Sequence, residues 1–148
     1  MNIKKRCIVT LSCVYAIAFV LNVIPSVTFP DATIGPLQAT ASVLLVLCMI
    51  GTCVLNDRVA KLYVTALLFA GVTVFTLHSF ETYVYDIVIL DALFAIQYPL
   101  YLLFVAPLFG LNFFFNVEAD FIALFAFFIG LFILGIHEIA MMVSRRST

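Results

Sequence analysis

His78, Asp91, His137 and Glu138 are the residues of this chain best suited to carry chemistry. Each lies in or beside a long apolar run, where an ionisable side chain costs at least about 2.5–3.5 kcal/mol on membrane-insertion scales. Two imidazoles and two carboxylates could bind a divalent metal, relay protons or form a buried hydrogen-bonded network. Their spacing matches no strong metal motif such as HExxH. Each also has a plainer reading. His137 could bond a neighbouring helix or a backbone carbonyl, and Asp91 could reach interfacial water or pair with Tyr98 on the same helical face. A haem held by His78 and His137 would need both rings at one depth. No cofactor is expected, and whether any metal binds is left open.

A second pattern surrounds His137. Ala123, Ala126, Gly130 and His137 follow one another at helical spacing along one face of the last apolar run. Small residues in such a stripe let another helix approach closely. The stripe is therefore a helix-packing face, and His137 should point into protein rather than lipid. Cys7, Cys13, Cys48 and Cys53 fall in the inner halves of the first two apolar runs. Cysteine packs there as a small apolar residue, and the absence of CxxC weakens a redox reading. Cys7, beside "KKR", also fits an acylation site as a pattern.

These residues need a scaffold, and composition names its solvent. The chain has 148 residues, 66% of them hydrophobic and 10% charged. Soluble domains carry about 25% charged residues, so lipid must surround most of this chain. A net charge of -1 gives nothing with which to neutralise phosphates, and nucleic acid is excluded as a partner. The basic start followed by an apolar run resembles a signal peptide. The run is too long for that, and it reads as a retained first helix.

A bilayer crossing takes about 20 apolar residues. Five helical segments qualify, at about 7–27, 37–56, 62–80, 87–109 and 121–143. The expected fold is an all-α integral membrane protein, a single polytopic domain over 1–148 with a cytoplasmic N-terminus set by Lys4, Lys5 and Arg6. The segment 87–109 admits two arrangements. Its length favours a crossing, giving five spans and an external C-terminus. Then His78, Asp91, His137 and Glu138 share the outer third of the membrane. The alternative is a re-entrant hairpin bent at Pro99, with four spans and every Lys and Arg inside. In that case the polar set is split between the two faces.

No Gly-rich phosphate loop, GxSxG or core lysine is present in the sequence, so an enzyme is not expected. The chain reads as a small polytopic membrane protein acting through helix–helix contacts, an accessory, assembly or immunity-type component. Its partners would be the lipid bilayer and a membrane protein or a second copy of itself. Plasma or inner membrane is the expected location. The alternative is a small oligomeric transporter, channel or proton-linked carrier that uses Asp91, His137, Glu138 and His78, with the broken segment lining its path.

Overall fold

The computed structural model describes residues 3–31, 33–55, 58–84 and 94–146. Asp91 lies outside the described residues. The described residues are mostly helical, and no strand is found among them. Helix α1 is Ile3–Thr28, α2 is Pro36–Val54 and α3 is Arg58–Val84. A composite helix α4 covers Gln97–Phe115, and α5 is Ala119–Arg146. All five are long and apolar enough to cross a membrane.

Local chemistry sets the ends of these elements. Pro36 starts α2, where its missing N–H is no loss. The Gly35 N–H donates to Gln38 Oε1 at 3.1 Å, closing the first turn. Helix α4 ends at Asn116, which adopts a left-handed conformation with φ 48°, one that asparagine tolerates better than most residues. The buried Asn112 holds the turn that follows. Its Nδ2 donates to the Val117 carbonyl and its Oδ1 accepts from the Val117 N–H, both at 2.8 Å.

Helices α3 and α5 form a close pair. A Cβ on Gly71 would stand 2.6 Å from the Ala123 carbonyl oxygen, and one on Gly130 would stand 3.0 Å from Leu68 Cβ. The pair runs antiparallel, because Gly130 faces Leu68, Ala123 faces Gly71 and the ring of Phe121 lies tilted beside that of Phe75. The start of α5 therefore lies beside the end of α3. At the opposite end, His137 of α5 meets Cys53 in the last turn of α2.

This geometry gives the bundle two chemically distinct ends. Lys4, Lys5 and Arg6 open α1, Arg58 and Lys61 open α3, and Arg145 and Arg146 close α5. All seven basic residues of the chain therefore lie at one end, the basic end. Asp31, Glu81, Glu118 and Asp120 lie at the other, the acidic end.

Helix α4 begins and ends at the acidic end. Gln97 and Tyr98 bond Glu81 near the end of α3. Tyr101 then donates to the Ser26 carbonyl. The Leu103 carbonyl lies deeper, at Tyr15 in the middle of α1. The Pro107 carbonyl has already climbed to Asn22, about two helical turns back toward the acidic end. Phe109 packs on Phe29, and Gly110 abuts Gln38 at the start of α2. The segment thus goes in and comes back. Its composite backbone allows this: a π turn over Tyr101–Val105 meets a 3₁₀ stretch over Ala106–Leu111 that carries Pro107. Such a junction is a recognised cause of sharp bends. The fourth segment, although long enough to cross, does not run from one end of the bundle to the other. The reversal falls before Pro107, not at Pro99.

Candidate functional site

The buried centre of α4 is the Pro107 carbonyl. Asn22 Nδ2 donates to it at 3.2 Å and Ser42 Oγ donates to it at 2.9 Å. Asn22 Nδ2 also reaches the Ala18 carbonyl at 2.8 Å and Ser42 Oγ at 3.2 Å. Asn22 is fully buried. One side chain thereby ties α1, α2 and α4 together. In an apolar medium each such group, left unpaired, would cost several kcal/mol. The arrangement positions the backbone, and Asn22 Oδ1 is buried there without a hydrogen-bond partner among the described residues.

The sequence-predicted residues separate. His78 lies near the end of α3, at the acidic end. His137 lies on α5 at the basic end and is 1% exposed. Its Nδ1 is 2.7 Å from the Cys53 carbonyl oxygen. A carbonyl only accepts, so Nδ1 carries the proton and donates. The acceptor is one of the last carbonyls of α2. Glu138 is exposed, with Oε1 4.0 Å from His137 Nε2. The expectation that His78 shares a depth with His137 and Glu138 is therefore corrected. It assumed that α4 crosses, and the bend before Pro107 reverses the sense of α5. Among the described residues, no three His, Cys, Asp or Glu side chains are grouped to hold a metal ion. Ala123, Ala126 and Gly130 are all buried, and the face they form packs on α3 of the same chain. Cys7 and Cys48 line one crevice with Arg6, Cys13 is exposed and Cys53 is buried.

The chemistry-bearing feature lies elsewhere. At the acidic end, α1, α3, α4 and α5 line a half-open cavity of about 560 Å³. Its polar lining includes Ser26, His78, Glu81, Gln97, Tyr98, Tyr101 and Asp120. Glu81 organises it. Its Oε2 is 3.3 Å from His78 Nδ1 and accepts from Gln97 Nε2 at 3.2 Å, while Oε1 accepts from the Tyr98 hydroxyl at 3.4 Å. Gln97 Oε1 and Asp120 Oδ1 are buried and have no hydrogen-bond partner among the described residues. An unmet buried acceptor costs about 1–3 kcal/mol, and both residues stand in the wall of this cavity.

Sequence reasoning passes over Asn22, Ser42, Gln97 and Asp120 as site residues. A signal existed for Asn22, a lone amide inside an otherwise apolar run. Asp120 reads as part of a headgroup-level connection, and nothing in its spacing links it to Gln97 or Glu81. Compared with protein-family models, curated proteins and solved structures, the chain matches none.

Proposed function

We propose that this is a multi-pass membrane protein with four crossing helices, α1, α2, α3 and α5, and a re-entrant α4. The basic end would face the cytoplasm, and the acidic end the outside of a plasma or inner membrane. The clustering of all seven basic residues at one end supports this placement, because Lys and Arg stay on the cytoplasmic side. Re-entrant backbone at membrane depth must be shielded by protein. Here Asn22, Ser42 and Tyr15 supply the shield.

Within that frame the protein acts by contact, as a non-catalytic accessory, assembly or immunity-type component. The packing of the bundle's middle carries this reading. Leu45, Met49, Val64, Leu67 and Ile133 are fully buried there, and the bend of α4 reaches in as far as Tyr15. The stripe of Ala123, Ala126 and Gly130 is spent on α3, so a partner would meet outward faces such as Ile17, Val20 and Ile24 of α1. Chemical crosslinking in native membranes tests the role. One stoichiometric membrane partner, or a defined self-oligomer, is the expected product. A protein that crosslinks to nothing, yet conducts ions in liposomes, would refute it.

The polar cavity favours a second reading, a small carrier. That reading needs a polar route from the cavity through the apolar middle. The same liposomes decide it, since a carrier raises solute flux above that of empty vesicles.

A further inference from the structure

We propose that the cavity at the acidic end binds a primary ammonium group, either the headgroup amine of an aminophospholipid or a free amine. This goes beyond the contact role and does not depend on it. The argument begins with Gln97, which is 4% exposed. Its Nε2 donates to the Glu81 carboxylate. The reversed amide would set oxygen against carboxylate, so the other amide atom must be Oε1. That oxygen has no partner among the described residues, nor has Asp120 Oδ1, and both residues line the cavity.

The unmet groups are all acceptors. A ligand that meets them must donate, and the nearby carboxylates of Asp120 and Glu81 favour a positive charge. A primary ammonium offers N–H donors and a charge together. A quaternary ammonium offers the charge without a donor. A bound metal ion suits the site less well, because no three metal-ligating side chains are grouped among the described residues. The remaining wall is largely apolar, with Val27, Phe29 and Leu102 among its residues, and suits methylene groups beside the nitrogen. A cavity of about 560 Å³ takes a headgroup-sized ligand. Four crossing helices would place it at the outer headgroup layer.

The test uses the full chain in phosphatidylcholine nanodiscs, with and without phosphatidylethanolamine. Native mass spectrometry reads the retained lipid, and calorimetry reads titration with free ethanolamine. Retention of phosphatidylethanolamine over phosphatidylcholine, without a response to ethanolamine, assigns the lipid. An ethanolamine response with equal lipid retention assigns the free amine. Either signal should weaken by about tenfold or more in Asp120→Asn, which keeps the side chain's shape. It should persist in Thr40→Ala, outside the cavity. Gln97→Leu should lose it too, and if that variant fails to fold, Asp120→Asn alone decides. Equal retention of the two lipids with no ethanolamine response would overturn the proposal, as would undiminished binding by Asp120→Asn. The contact role would survive either result, because it is read from crosslinking.

Discussion

The Tyr15 hydroxyl donates to the Leu103 carbonyl at 2.8 Å, the carbonyl whose α-helical partner would be the N–H that Pro107 lacks. A proline in a buried segment strands one acceptor, and here a tyrosine on α1 supplies the donor. The contact also marks the deepest part of α4. Tyr15→Phe keeps the ring and its edge-on packing against Tyr63, and deletes only the donor. Membrane hydrogen bonds average about 0.6 kcal/mol and reach about 1.7 kcal/mol. Unfolding in mixed micelles should show a loss in that range. A Tyr15→Phe protein as stable as the parent would mean that Leu103 finds another donor.

Gly110 allows α4 to return to α2. A Cβ at this position would overlap the Gln38 carbonyl, which is backbone and cannot rotate away. Gly110→Ala should therefore displace the returning limb and destabilise the fold by about 3 kcal/mol or more. Gly135 is the matched control, since a Cβ there meets nothing within 4 Å. Gly135→Ala should raise stability by about 0.4–1 kcal/mol. Melting of the two variants in detergent should diverge in opposite directions.

Much of the helical scaffold is legible in the sequence because hydrophobic length is a local property. The first three apolar runs lie inside α1, α2 and α3 to within a few residues. The path of 87–109 is different. Length argued for a crossing and charge argued for a return, and the outcome rests on contacts that no window of sequence contains. Asn22, Ser42 and Tyr15 take up the carbonyls at the bend, and they come from two other helices. The stripe of Ala123, Ala126 and Gly130 was legible as a close-approach surface, but its partner was not. Once α4 returns, His78 and His137 cannot share a depth, and Asp120 lines the same cavity as Gln97 instead.

His137 should behave as the cap of α2. Its Nδ1–H answers the Cys53 carbonyl in a buried site. His137→Ala removes one buried hydrogen bond, at a cost of about 1 kcal/mol. A ligand role predicts something else, a metal-dependent melting temperature. EDTA should leave the melting temperature of the parent unchanged, and His137→Ala should melt lower with or without it. Loss of stability on chelation, abolished in His137→Ala, would restore the metal reading.

Single-cysteine labelling can settle the path of α4 across the bilayer. With the native cysteines replaced, Thr33→Cys reports the α1–α2 connection, Glu118→Cys the α4–α5 connection, and Thr148→Cys the end of the chain. Thr33 and Glu118 are both exposed. If α4 dips and returns, a membrane-impermeant maleimide labels Thr33→Cys and Glu118→Cys in intact cells, and labels Thr148→Cys only after permeabilisation. If α4 crosses, Glu118→Cys and Thr33→Cys label from opposite sides. The two outcomes differ at Glu118 whatever the orientation of the N-terminus, because the test compares two connections within one molecule. The bend before Pro107 and the gathering of basic residues at one end both lead to the first outcome.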